Sequence, residues 1–263
     1  RVQERMATEL RLREAFNRQE FHVEYQPQVD AVDGAVVAVE AMVEWSGRKQ
    51  DMMTRVAFAR VLEQCGLMAE VFEWQLVTAG MQCAALLNSP QLQLRLAISV
   101  PATLFRNAAR MQDIIQRCLD SCRLEWRHLQ LEISEAAISE DTEQSLKVLR
   151  ELRKRGEALV IDNFGTGVSS LRHLRRFRID IIKIDASFVR DVLADENDAA
   201  VTSAIIALAH QLDLKVLADG VESQQHARFL ERYWCDYLQC AHVSKPLLKA
   251  ELIAFLKNRL QKF

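Results

Sequence analysis

Apolar and polar residues alternate from Phe21 to Val29, and Ala35 to Trp45 forms a second β-rich run, with Asp33-Gly34 between them. An Asp-Gly pair suits the left-handed backbone of a tight hairpin turn, so these two strands are expected to pair antiparallel. From Val56 the pattern changes to one long helical stretch, ending at Leu87, and then to short apolar runs alternating with helical segments. The apolar runs are Leu94 to Val100, Leu129 to Glu135, Ala158 to Asp162, Ile181 to Asp185, Lys215 to Ala218 and Tyr237 to Ala241. Between them the pattern predicts a charged helix closed by Gly156, a short helix from Ser169, a long one from Asp198 to Leu212 and a final helix to Lys257. Strands so short and apolar are covered on both faces, which means parallel strands with helices outside. The units close most naturally into a (β/α)8 barrel of the TIM-like α/β class, with an open doubly wound sheet as the alternative.

Either architecture places function at the carboxyl ends of the strands. Glu40, Glu132, Glu135, Asp162, Lys183, Asp185, Asp219, Glu222 and Gln239 all fall at or just after such an end. Carboxylates contributed by several strands point to a polar site at the barrel mouth, since isolated ones belong on solvated loops and helix faces. Converging carboxylates raise one another's proton affinity unless a cation compensates. Hard divalent ions such as Mg²⁺ or Mn²⁺ suit that need, and a pair of them can clamp a phosphodiester. Lys183 reads in two ways: a proton carrier beside a water, or a lysine paired with Glu132 or Asp162 that holds an empty site together.

Composition narrows the classes. With 263 residues, 49% of them hydrophobic, the chain can bury one large core, and four prolines and eight glycines leave no obvious internal linker. Only residues 1–19 read as separable, a charged connecting helix from an upstream region, with the barrel domain at 20–263. A net charge of −2 gives no general attraction for nucleic acid or anionic lipid, so any such contact must be local. No apolar stretch is long enough to span a bilayer, and no membrane contact by this domain is expected. Cys65, Cys83, Cys118, Cys122, Cys235 and Cys240 form no CxxC pair and read as reduced, buried thiols of a cytoplasmic domain, whether free or part of a membrane-anchored protein.

Taken in order, Tyr25-Gln26-Pro27, Glu40-Ala41-Met42, Leu131-Glu132-Ile133-Ser134-Glu135, Asp162-Asn163-Phe164-Gly165-Thr166-Gly167, Lys183-Ile184-Asp185, Ala218-Asp219-Gly220-Val221-Glu222, and Gln239 before Ser244-Lys245-Pro246 resemble the EAL family of cyclic di-GMP phosphodiesterases over nearly the whole chain. The resemblance implies a (β/α)8 barrel with an antiparallel first strand. It also implies that Glu40, Glu132 and Asp162 stand at metal-binding positions, Lys183 at the position of the base, Glu135 at that of the glutamate anchoring the loop after the fifth strand, and Gln26, Met42, Glu44 and Gln239 against the ligand.

Several positions depart from the family pattern. Asn163 replaces the second Asp of an Asp-Asp pair, Asp219 replaces a Glu, and Ser99 stands where the strand Ala97-Ile98-Ser99-Val100-Pro101 aligns with a metal-binding Asn. An amide offers one neutral oxygen where a carboxylate offers two charged ones, so two-metal hydrolysis should suffer most. Glu44 takes the place of an Arg that meets a ligand phosphate, which reverses the sign of that contact unless Glu44 turns away or the pocket serves another ligand. Val168 and Cys240 replace a Tyr and a Gly of the pocket. The expectation is a degenerate EAL domain that acts by binding a protein partner or an attached signalling domain, needs no cofactor, and holds Mg²⁺ or Mn²⁺ and cyclic di-GMP weakly if at all. A slow phosphodiesterase yielding the linear dinucleotide is the alternative. The family often dimerises through its barrel, so a homodimer is a further expectation.

Two basic runs, Lys147 to Arg155 and Arg172 to Arg178, read first as solvated helix faces. Contact with RNA phosphate or an acidic protein through Arg172, Arg175, Arg176 and Arg178 is the other reading. Met52, Met53, Phe58, Phe72 and Trp74 read as packing positions rather than a partner surface.

Overall fold

The computed structural model describes residues 2–46, 55–167 and 174–260. Eight strands close into one barrel in sequence order: β1 (Phe21–Asp30), β2 (Val36–Trp45), β3 (Arg95–Ser99), β4 (Leu129–Ser134), β5 (Ala158–Phe164), β6 (Ile181–Ile184), β7 (Lys215–Val221) and β8 (Tyr237–Cys240). β1 runs antiparallel to both neighbours, with Gln26 opposite Glu40 across the hairpin and Gln28 opposite Gln239 on the other side. The remaining pairs are parallel. The open sheet is thereby ruled out.

Helices cover the outside. Among the described residues they include α1 (Val2–Asn17), α2 (Arg55–Gln64), α3 (Met68–Leu87), α4 (Ala102–Arg106), α5 (Ala108–Cys122), α6 (Glu135–Glu140) and α7 (Thr142–Leu152), followed beyond β6 by α8 (Ala186–Arg190), α9 (Glu196–Gln211), α10 (Gln224–Arg232) and α11 (Lys249–Leu260). The single helix expected from Val56 to Leu87 is two helices. Gly66, at φ +67°, takes the left-handed turn that ends α2 and redirects the chain into α3. Phe58 and Phe72 are buried, in line with packing positions; Met52, Met53 and the helix expected from Ser169 lie outside the described residues.

The second half of α1 packs against the barrel. Leu12 and Ala15 of α1 are buried with Phe21, Trp45, Phe58 and Leu67 in a small apolar cluster. The Phe16 ring lies 5.5 Å from that of Phe21 at a tilt of 57°, and the Arg11 guanidinium lies 5.2 Å from the centre of the Trp45 ring. The main core lies between the strands and their helices. Cys65, Cys83, Cys118, Cys122 and Cys235 are free and buried; burial raises the thiols of Cys118 and Cys235 to about 12, which keeps both protonated and unreactive at neutral pH.

The barrel interior is divided. Val160, Ile181 and Leu217 form a separate apolar plug with Tyr237. Successive inward positions on one strand are two residues apart, so the next ones toward the mouth are Asp162, Lys183, Asp219 and Gln239. Apolar packing closes the lower barrel, and polar chemistry begins one layer above it.

Candidate functional site

Lys183 is the centre of that polar layer. It is 3% exposed, and its ammonium donates to Glu40 Oε2 at 2.8 Å and Glu132 Oε2 at 2.7 Å, with Asp162 Oδ1 at 3.9 Å. Glu132 is almost wholly buried, and its other oxygen accepts from Gln28 Nε2 at 2.9 Å and Gln130 Nε2 at 3.0 Å. Gln239 donates to Glu40 Oε2 at 2.5 Å and to Gln26 Oε1 at 3.3 Å. Ser99 Oγ stands 3.5 Å from Glu40 Oε1. This network answers the cost of burying charge: every ionised oxygen deep in the barrel has a donor, and the ammonium has two carboxylates.

The electrostatics follow from burial. Burial pushes the Glu132 carboxyl up to about 7, with Glu40 adding to the effect and Lys183 opposing it. Burial also raises Asp162 and Asp219, again against the pull of Lys183. Burial alone would discharge Lys183, but Asp162, Glu132 and Glu40 outweigh it and hold the ammonium charged well above its ordinary range.

Asp162 and Asn163 form the rim. Asp162 Oδ1 accepts the Asn163 backbone N–H at 2.8 Å, and Asp162 Oδ2 accepts the Asn163 side-chain amide at 3.2 Å. Asn163 sits at φ +55°, a left-handed conformation that Asn tolerates better than most side chains. Beyond it, Glu135 at the start of α6 accepts the backbone N–H groups of Gly165 (2.9 Å) and Gly167 (3.1 Å), tying the loop after β5 to the end of β4. Only glycine fits there. Gly165 has φ +100°, and a Cβ at Gly167 would lie 2.9 Å from the Glu135 carboxyl carbon.

These side chains line a cavity of about 570 Å³. Glu40, Glu132, Asp162, Asn163, Lys183, Asp219, Gln239, Ser99, Gln26 and Met42 all border it. Phe58 and Leu62 of α2 with Val71 and Phe72 of α3 supply an apolar wall. Glu44 does not border it. It lies opposite His22 toward the end of β2 and is 5% exposed, so it presents no carboxylate to the cavity. Asp185 and Glu222 also stand away: Asp185 caps α8 by accepting from Ser187 N at 2.8 Å, and Glu222 pairs with Arg190 on the surface. Asp219 accepts the Gly220 N–H at 2.6 Å.

A domain model described as the EAL domain matches residues 9–246. The chain belongs to the EAL domain family. Relatives of this EAL domain include the bifunctional diguanylate cyclase/cyclic di-GMP phosphodiesterase MucR of Pseudomonas aeruginosa, 35% identical over 92% of this chain and 35% of that protein. The cyclic di-GMP phosphodiesterase NbdA of the same organism is 34% identical over 98% of this chain and 33% of its own length. The domain thus spans about a third of the curated relatives it matches. Among solved structures, the MucR phosphodiesterase in complex with cyclic di-GMP superposes with a TM-score of 0.87 at 34% identity, covering 93% of this chain and 99% of that one. The EAL enzyme Bd1971 in its cGMP-bound form gives a TM-score of 0.90 at 25% identity, covering 97% and 69%.

Divalent cations are the group such a family implies, and the arrangement of this EAL domain does not fit them. Among the described residues no group of three or more His, Cys, Asp or Glu side chains is set to hold a metal ion. The reason is geometric: Lys183, Gln28, Gln130 and Gln239 occupy the facing oxygens of Glu40 and Glu132. Gln28 and Gln130 escaped the motif reading. Their signal was alternation, since each lies two residues along a strand from a site residue, Gln26 and Glu132 respectively. No helix among the described residues is long and apolar enough to cross a membrane.

Proposed function

We propose that this domain is a degenerate EAL module that acts in cyclic di-GMP signalling by regulatory interaction with a protein partner or an attached domain, hydrolysing the dinucleotide slowly or not at all and binding it weakly. The observation that carries this reading is the pair at the rim: the Asn163 amide donates to Asp162 at 3.2 Å, where the family pattern has a second carboxylate. A second cation needs an anionic oxygen at that point and meets a neutral amide already turned to its neighbour. Deeper in, Lys183 supplies the positive charge that Glu40 and Glu132 require, so the site is held together without Mg²⁺ or Mn²⁺. No cofactor is required for the regulatory role.

A slow phosphodiesterase is the second reading, favoured by the convergence of Glu40, Glu132, Asp162 and Asp219 with Lys183 on one cavity. Incubation with Mn²⁺ or Mg²⁺ and cyclic di-GMP separates the two. Intact dinucleotide after prolonged incubation supports the regulatory module, whereas linear product formed at a rate abolished by Glu40→Ala replaces it with the enzyme. Calorimetric titration with cyclic di-GMP is expected to give weak heat or none.

A further inference from the structure

The foot of the barrel, where helices lead into the strands, carries a second cavity of about 670 Å³ that none of the mouth chemistry uses. Arg150, Arg153 and Lys154 line it from the end of α7, and Arg175, Arg176 and Arg178 from the segment leading into β6, against one carboxylate, Glu151. Arg172, part of the same basic run, lies outside the described residues. Three of the six cations have ion-pair partners: Arg153 with Asp180, Lys154 with Glu151, and Arg176 with Glu143. Arg150, Arg175 and Arg178 have none among the described residues and are exposed.

Cations favour the C-terminal end of a helix because the backbone carbonyls there carry partial negative charge. That accounts for Arg150, Arg153 and Lys154. It does not account for Arg175, Arg176 and Arg178, which a separate segment brings to the same groove against mutual repulsion. A next cavity, of about 320 Å³, shares Arg175 and Arg178 with the first. It in turn shares Asp213 and Leu214 with a third, of about 840 Å³, bordered by Trp234. The three form a furrow that is strongly basic at one end and mixed in charge at the other, where the Trp234 ring is 77% exposed. A concave track suits a chain-like polyanion better than a flat bilayer surface. The Trp at its mixed-charge end suits a planar neutral group, which an acidic peptide need not carry and a nucleotide base does.

We propose that this furrow binds single-stranded nucleic acid, its phosphates along Arg150, Arg175 and Arg178 and a base stacked on Trp234. The inference is independent of the activity of the mouth.

The test is fluorescence anisotropy of a labelled 12-nucleotide single-stranded RNA, and of the matching DNA, titrated with the 263-residue chain at several salt concentrations. Saturable binding that weakens with salt is expected, and a preference for either strand identifies the sugar without changing the inference. Arg150→Glu with Arg175→Glu should weaken binding at least tenfold and flatten the salt slope by about 1.4, the value for two lost phosphate contacts on a single strand. Both residues are exposed, so thermal unfolding is expected to be unchanged, which separates lost binding from lost folding. Trp234→Ala should weaken binding about fivefold or more at an unaltered salt slope. No binding of either strand, binding indifferent to these substitutions, or equal displacement by polyglutamate or by phosphatidylglycerol vesicles at matched charge would overturn the proposal.

Discussion

At the mouth of the barrel, Glu40, Glu132, Asp162 and Asp219 surround the single ammonium of Lys183, while at the foot six cations surround the single carboxylate of Glu151. The imbalance is opposite in sign and larger at the foot, and the two ends manage it differently. At the mouth Glu40, Glu132 and Lys183 are buried and hydrogen-bonded, with Asp162 and Asp219 half-buried; at the foot Arg150, Arg175 and Arg178 are exposed and have no ion-pair partner among the described residues. Two unit charges 4 Å apart interact by about 4 kcal/mol at an effective dielectric of 20 and by about 1 kcal/mol in water. Mouth charges are therefore structural, each dependent on its neighbours. Foot charges contribute little to stability, and Arg150, Arg175 and Arg178 are placed to meet a ligand.

The largest test of that contrast is Lys183→Met. Removing the ammonium leaves Glu40 and Glu132 buried without their cation, a loss of about 3–5 kcal/mol. With about 2–4 °C per kcal/mol for a domain of roughly this size, the thermal midpoint should fall by about 6–20 °C. An unchanged midpoint would show that the mouth carboxylates do not need an internal cation.

Glu135→Ala comes next. It strips the partner from two backbone N–H groups, at Gly165 and Gly167, and should cost about 2–3 kcal/mol. Amide exchange at these glycines should accelerate ahead of the β5 core, and uniform acceleration along β5 would instead indicate global loosening.

Asn163→Asp sharpens the comparison by making the mouth more anionic. Without metal the variant should be slightly less stable than the parent, and millimolar Mn²⁺ should raise its midpoint by several degrees more than the parent's. Equal responses to Mn²⁺ would mean that the Asn163 amide does not limit cation binding.

The smallest effect concerns Glu157, a buried carboxylate beside the foot whose two side-chain oxygens have no hydrogen-bond partner among the described residues. Burial pushes its pKa up to about 7, with Arg155 and Arg153 pulling the other way. A raised carboxyl favours the folded state below about pH 4.5, and that contribution is lost as pH rises through about 7. Glu157→Gln should therefore gain about 1 kcal/mol at pH 8, after allowance for solvent near the barrel end, with the gain shrinking toward pH 5. Thermal unfolding across that range reads it directly, and a pH-independent difference would refute it.

Much of this was legible in the chain. The hairpin followed from Asp33-Gly34 between two alternating runs, and the eight strands from short apolar runs separated by helices, with bounds within a few residues of those found. The order of motifs from Tyr25 to Pro246 carried the family. The break at Gly66 was less visible, since an amphipathic pattern on both sides of one glycine reads as continuous helix. Asp185 and Glu222 stand away from the cavity for a different reason: nearness to a strand end fixes neither which way a side chain leaves the rim nor what it meets. Gln28 and Gln130 look like ordinary polar residues on strands until the barrel closes and brings them within hydrogen-bond reach of Glu132 from two directions.

The sequence by itself determined the elements, their order and the chemical types available at each strand end, because period and turn chemistry act over a few neighbouring residues. Tertiary structure alone decided which of those groups share one buried space. It put Lys183 between carboxylates 143 and 51 positions away in the chain, and gathered arginines from two separate segments into one groove. Coulomb energies and hydrogen bonds depend on distance through space, and separation along the chain does not encode that distance.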